Sequence, residues 1–397
     1  MEWSYHSPEL VIFALFTRYH LRKNVLDLVL HNITNASNAD TSSQFARNPG
    51  MNEEMVGRYY EMDKLRHKLI GGSSNLEVIS ICGAPGVGKT TLANYLYFDP
   101  SVVSRFHIRA QCCLSQEHSR KDLLLALLGD ITKDTTDFEG ETDYVLADKL
   151  RKLLVSKRFL IFVDDIWGSS VWADLKVCFS DFNNGSRIIL TTQFYGVASR
   201  ATKHDSDLYV LHMLSNEESW VLLQNKVFNK ERFPLVLEDV GRSIAQKCQG
   251  LPLSIVLVAG VLARMPKERH RWEQVATKLS VDIQAHFERT MELSYWYLPH
   301  HLRKCLLYLA VFSEGREIQV SKLTWLWIAE GFIKPHAGKT LEEIAENHLE
   351  NLVERNLVMV SKRSFDGKIK ACHIHDLLLE FCRKKAKLEN IIQRING

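Results

Sequence analysis

Residues 83–91 read Gly-Ala-Pro-Gly-Val-Gly-Lys-Thr-Thr, and this stretch decides the fold. It matches the phosphate-loop pattern G-x-x-x-x-G-K-[ST]. An apolar run from Val78 to Cys82 precedes it, and Leu92 to Tyr97 reads as a helix after it. Strand, glycine-rich loop and helix form the context that the pattern requires. Glycines let successive backbone N–H groups converge on phosphate oxygens, and the following helix turns its positive end toward them. In such a loop Lys89 bridges the β- and γ-phosphates and Thr90 places its hydroxyl on Mg²⁺. Gly83, Gly86, Val87, Gly88 and Thr91 are the remaining nucleotide-binding candidates of the loop.

The elements around the loop extend the same reading. Phe106 to Leu114, Phe159 to Val163 and Ser186 to Leu190 are strand candidates, and Arg120 to Ile131 and Asp143 to Val155 are amphipathic helices. The continuous apolar run at 159–163 suits a strand covered on both faces. Strand–helix alternation of this kind implies a parallel sheet with helices on both faces, an α/β P-loop NTPase domain. Asp164 and Asp165 close the second of these strands, where such ATPases hold their metal. Asp164 is the candidate Mg²⁺ ligand together with Thr90, and Asp165 is placed to orient an attacking water. Thr191, Thr192 and Gln193 end the next strand, as γ-phosphate sensors or as strand caps.

The 397 residues suggest two or three domains. Apolar content of 46% and charged content of 24% are those of a globular chain in water. With 50 Lys and Arg against 47 Asp and Glu, the net charge of +3 gives no general nucleic-acid field. The eight cysteines are scattered without a C-x-x-C pair, as expected of reduced thiols in the cytoplasm. Leu10 to Phe16 is too short a run to cross a bilayer, so membrane contact is at most peripheral.

The chain divides into a helical segment and linker at 1–50, with a helix to residue 31 and a polar linker from 32 to 49. A nucleotide-binding domain follows at 51–200, an α-helical bundle subdomain at 201–284 and a winged-helix subdomain at 285–397. The strand signal fades beyond about Thr202. Ser215 to Glu218 is a capping box, and helical periods run through 238–263, with a break at Pro252, and from 285 to 311. Leu323 to Phe332 and Leu341 to Arg355 are helices. Leu357 to Val360 and Lys368 to Lys370 form a hairpin around Asp366-Gly367. Helices followed by a two-stranded wing make a winged helix. Glu342, Glu343, Glu346, Glu350 and Glu354 give its penultimate helix an acidic face, which repels phosphates and argues against a nucleic-acid partner.

These stretches together resemble the NB-ARC module, the nucleotide-binding switch of plant disease-resistance proteins of the NLR class. Ile81 to Thr91, Phe159 to Trp167, Gly185 to Thr192 and Gly250-Leu251-Pro252-Leu253 stand in its order and spacing. Cys305 to Phe312, Leu326 to Phe332 and Ile374-His375-Asp376 match its later motifs. Trp167 is similar to the coiled-coil class, and the sequence style resembles the late-blight resistance proteins of nightshades. The resemblance implies an ADP-bound off state and an ATP-bound on state in plant innate immunity, including the hypersensitive response. The alternative is a productive P-loop ATPase, with hydrolysis as its main role. By the resemblance, Val56, Gly57 and Arg58 line the adenine and ribose, Pro252 and Leu253 pack at the base, and His375 reaches the β-phosphate. The implied partners are the nucleotide, other copies or other NLR receptors on activation, and a pathogen effector or guarded host protein acting indirectly. Gln193 replaces the arginine usual in the family. Read without the resemblance, Cys372, His373 and His375 suggest a metal group, but no second ligand pair is in view and the spacing argues against one. With neither a full coiled-coil domain before residue 51 nor leucine-rich repeats after 390, the expectation is a truncated receptor or an isolated switch module.

Overall fold

A computed structural model describes residues 55–113, 120–133, 138, 140–228, 234–279, 283–336, 338–389 and 391. The expected N-terminal helix and linker lie outside the described residues.

Five parallel strands form the central sheet: β1 (Glu77–Gly83), β2 (Ile108–Cys113), β3 (Phe159–Asp164), β4 (Arg187–Thr192) and β5 (Leu208–Leu211), in the order β2-β3-β4-β1-β5. Side chains alternate across a strand, and each face here feeds a separate core. Ile161 and Val163 pack on one side with Leu124, Leu127, Leu146 and Trp172. Leu160 and Phe162 pack on the other with Leu65, Leu92 and Leu96. Covering both faces removes every polar residue from the run at 159–163, which is why it is uniformly apolar.

The fifth strand departs from the sequence expectation that strands end near Thr202. β5 has only four residues, sits at the sheet edge and leaves Val210 exposed, so it lacks the apolar run that marks β3. A buried arginine holds the start of the neighbouring strands. Arg187 is 1% exposed and donates to the carbonyls of Gly71 (2.8 Å), Ser73 (2.9 Å) and Asn75 (2.9 Å). It also pairs with Glu77 at 3.3 Å. One guanidinium thereby satisfies three carbonyls of the turn that leads into β1.

Four helices, Asn216–Phe228, Glu238–Lys247, Pro252–Ala263 and Arg269–Lys278, then enclose Trp220 and Trp272. The expected capping box is formed: Glu218 accepts from Ser215 N–H at 2.8 Å, and the Ser215 hydroxyl accepts from Glu218 N–H at 3.2 Å. Pro252 does not simply break the helix. It opens a new one, at a position whose N–H has no partner to lose.

The last part has helices Ile283–Trp296, His300–Tyr308, Val320–Ala329, Leu341–Glu354 and Asp376–Leu388 around Trp327. Its wing pairs β7 (Met359–Arg363) with β8 (Ile369–His373), and β6 (Ile318–Gln319) adds a third strand on the far side of β8. The wing is therefore three-stranded. Its first long strand begins two residues later than the sequence suggests, because Leu357 and Val358 are drawn into the core.

Replacing Arg187 with Met leaves Glu77 and three carbonyls without their partner. We expect Arg187→Met to lower the unfolding free energy by about 3 kcal/mol or more, read as a lower urea midpoint at unchanged slope. A change below about 1 kcal/mol, the size of a surface substitution, would contradict this role.

Candidate functional site

The loop between β1 and the helix Lys89–Tyr97 stands at the carboxyl edge of the sheet, where Cys82 lies beside Thr192 in register and Cys113 beside Asp164. Gly86 has φ +76°, and a Cβ there would come 3.0 Å from the Leu253 side chain. Only glycine meets both demands without strain. The Leu253 N–H donates to the Gly86 carbonyl at 3.3 Å, so the helical subdomain touches the phosphate loop directly. Val87 is buried beneath the loop, whereas Thr90 and Thr91 are exposed at the start of the helix.

Lys89 is largely buried, and its ammonium donates to the carbonyls of Gly83 (2.9 Å) and Ala84 (3.1 Å). Burial lowers its pKa, and the charges of Asp165 and Asp164 oppose that shift. The Thr90 hydroxyl donates to Asp164 Oδ1 at 2.9 Å, and the Thr191 hydroxyl donates to the same oxygen at 2.5 Å. Burial raises the Asp164 carboxyl while these two hydroxyls lower it. A hydroxyl and a carboxylate meeting at the end of a phosphate loop are hard oxygen donors of the kind Mg²⁺ takes. These residues fit a magnesium–nucleotide.

Asp165 follows with φ +55°, the left-handed region that a non-glycine residue rarely adopts. Its N–H donates to the Thr191 hydroxyl at 2.8 Å. Burial and the neighbouring Asp164 push its carboxyl up to about 6. Thr192 is committed within the protein: its hydroxyl donates to the Ile166 carbonyl at 2.6 Å and accepts from the Phe194 N–H at 3.1 Å. Gln193 follows it, half-buried.

Gly57 and Arg58 lie against the junction between β5 and the helical subdomain, with Val56 half-buried just before them. Arg58 is 5% exposed and donates to the His212 carbonyl, and the Gly57 backbone rests on Leu214 and Glu218. Pro252 and Leu253 come to the phosphate loop as described. His375 caps the helix Asp376–Leu388, its Nδ1 accepting from the Leu377 N–H at 3.3 Å. That bond places the ring proton on Nε2, which is left to donate. Burial, then His373 and Lys89, pull the His375 pKa down to about 4, so the ring is neutral at physiological pH and lies within reach of the Lys89 charge.

A second contact from the winged helix is one that no local motif announces. A Cβ on Gly315 would meet Cys113 Sγ at 2.8 Å, and the Gly315 N–H donates to Asp376 at 3.2 Å. Burial, Asp165 and Glu314 raise the Asp376 carboxyl to about 6. The motif around residue 375 pointed to the histidine and left the function of Asp376 unread. The metal reading of Cys372, His373 and His375 fails: Ser361 engages His373 Nδ1 at 2.9 Å, Leu377 engages His375, and no metal-holding group occurs among the described residues.

The NB-ARC domain family matches residues 58–233, and the disease resistance protein winged helix domain matches residues 311–382. The chain carries an NB-ARC domain followed by a disease-resistance winged-helix domain. It is 52% identical over 358 residues to a putative late blight resistance protein homolog of Solanum demissum, covering 90% of this chain and 27% of that protein. It is 52% identical over 359 residues to a late blight resistance protein of the same plant, with 90% and 28% covered. The chain thus spans less than a third of these relatives. In fold it is similar to a signal transduction ATPase with numerous domains from Pyrococcus horikoshii, which carries a tetratricopeptide repeat sensor. That match has TM-score 0.53 and 16% identity, covering 87% of this chain and 44% of the other. An NB-ARC domain implies nucleotide binding, and no described helix is long and apolar enough to cross a membrane.

His375 makes the NB-ARC and winged-helix assembly acid-sensitive with a defined sign. Unfolded chains protonate this ring below the ordinary value of 6.5, while the folded chain does so only near 4. Stability held by the neutral ring is therefore complete above pH 6.5 and is lost as pH falls toward 4. We expect His375→Asn, which keeps a capping acceptor, to lose about 1–2 kcal/mol less than the wild type between pH 7 and 5, after allowance for partial exposure. Parallel denaturation curves at the two pH values measure this, and equal losses would contradict it.

Proposed function

We propose that the chain is the ADP/ATP switch of a plant disease-resistance protein. ADP holds the three subdomains closed, and exchange for ATP releases the winged helix to start the defence and hypersensitive response. The observation that carries the reading is that both later subdomains converge on one phosphate loop. Leu253 bonds to Gly86, and His375 lies within the field of Lys89.

In this reading the residues divide the work by chemistry. The loop N–H groups from Gly83 to Gly88, with Lys89 and Thr91, grip the phosphates. Thr90 and Asp164 hold Mg²⁺, which when bound neutralises phosphate charge. Val56, Gly57, Arg58, Pro252 and Leu253 enclose the base and ribose, and the neutral His375 donates from Nε2 to the β-phosphate. Thr192 shapes the strand end on which the site is built. Asp376 brings a further carboxylate close to Asp165, while Glu314 is paired with Arg383 at 2.6 Å, so the added aspartate charge favours a diphosphate over a triphosphate. This supports discrimination by repulsion where Gln193 supplies no positive charge.

Asp165, next to the Mg²⁺ ligand Asp164, is placed to orient the attacking water in a slow hydrolysis that resets the switch. By thermodynamic linkage the nucleotide biases the two forms only through its differential affinity for them. Release of the winged helix uncovers surface for self-association or for other receptors of the class, with a pathogen effector or guarded host protein acting from outside this chain.

The test is to extract and identify the nucleotide that copurifies with the protein. ADP in the wild type, ATP or nothing in His375→Ala, and negligible turnover by both are the expected results. Brisk steady-state hydrolysis by the monomer would instead establish the productive ATPase.

A further inference from the structure

The helix Pro252–Ala263 is buried on nearly every side. Ile255, Val258, Ala259 and Leu262 pack into the helical subdomain, whereas Leu257 joins the winged-helix core with Leu302, Leu306 and Leu349. Its first turn meets the phosphate loop through Leu253. Its later turns meet the end of the winged-helix element Leu341–Glu354. There the Asn356 side-chain amide donates to the Val256 carbonyl at 3.1 Å, and Arg264 pairs with Glu354.

Between those two contacts stands Gly260. A Cβ at this position would lie 2.2 Å from the Arg355 carbonyl oxygen and 2.7 Å from its carbon. Glycine is the poorest helix former after proline, and Gly260 adopts no left-handed conformation. Its conformation gives no reason for a glycine; the approach of Arg355 does. Asn356 completes the contact by taking φ +59°, which ends the preceding helix and turns its amide toward Val256. The Arg355 side chain works in the opposite direction. Its Nε is buried with no hydrogen-bond partner among the described residues, and Arg264 adds a like charge nearby.

We propose that Gly260, Arg355 and Asn356 form an autoinhibitory clasp, a backbone contact between the helical subdomain and the winged helix that must part before bound ADP leaves. The clasp rests on the switch reading above and adds to it a control point away from the nucleotide. Contact this close is lost as a unit, because any displacement of the winged helix removes the fit at Gly260 and the Asn356 hydrogen bond together. The unpaired Arg355 nitrogen favours parting, so the closed form is held but poised. The same helix carries the contact to Gly86, which links the clasp to the loop that grips the phosphates.

The experiment loads the full chain with a fluorescent ADP analogue and follows its release into excess ATP. Gly260→Ala forces a methyl group against the Arg355 carbonyl and is expected to speed release about tenfold or more. Asn356→Gly keeps the left-handed backbone, removes only the side-chain hydrogen bond, and is expected to speed release about fivefold. Val258→Ala, on the helical-subdomain face of the same helix, serves as the stability control: a lower melting temperature without faster release. His375→Ala serves as the switch control. Acceleration by both clasp variants and by His375→Ala, but not by Val258→Ala, supports the clasp. If His375→Ala accelerates release and the clasp variants do not, the clasp is wrong and the switch reading stands. If His375→Ala also has no effect, the switch reading falls and the clasp with it. Should Gly260→Ala fail to fold, Asn356→Gly decides alone.

Discussion

A phosphate loop must keep its backbone N–H groups pointing inward, so it cannot be stabilised by bonding those groups to the rest of the protein. Support has to come through its carbonyls and from beneath. Here Val87 packs below the loop, Lys89 ties back to the Gly83 and Ala84 carbonyls, and the Gly86 carbonyl accepts from Leu253. The last of these bonds comes from another subdomain. The shape of the loop therefore depends on where the helix Pro252–Ala263 stands, and that helix is shared between the helical and winged-helix cores.

Charge at the carboxyl edge of the sheet sets the second constraint. Lys89 faces Asp164 and Asp165, and the docked winged helix adds Asp376 and Glu314 to the same region. Burial makes Asp164, Asp165 and Asp376 costly to ionise, and their mutual proximity adds to the cost. Arg383 pairs with Glu314 at 2.6 Å, which leaves Lys89 facing the three aspartates. A bound cation relieves the excess, and further negative charge increases it. In the proposed switch this charge balance is what distinguishes a diphosphate from a triphosphate, without an arginine at position 193.

Much of this was legible from local pattern. The glycines at 83, 86 and 88 answer demands made within nine residues, and the run at 159–163 records burial on both faces of one strand. The unread parts depend on distant partners. β5 and β6 are too short to show a period, and each exists because it pairs with a strand far away in sequence. Pro252 reads equally as a break or as a first helical residue, since either removes one N–H from the ladder. The reasons for Gly260 and Gly315 lie in Arg355 and Cys113, which approach them from 95 and about 200 residues away. Thr191 and Thr192 show hydroxyls at a strand end, but the sequence does not say that both are turned to Asp164 and Ile166 rather than to a ligand.

The most direct measurement is the distance between the nucleotide-binding domain and the wing in the two nucleotide states. Probes at Tyr144 and Phe365, both exposed, report it by pulsed electron resonance after incorporation of non-cysteine labels. A single closed distance with ADP and a second, displaced distance with a non-hydrolysable ATP analogue are predicted. One unchanged distribution in both states, with binding of each nucleotide verified, would contradict the account.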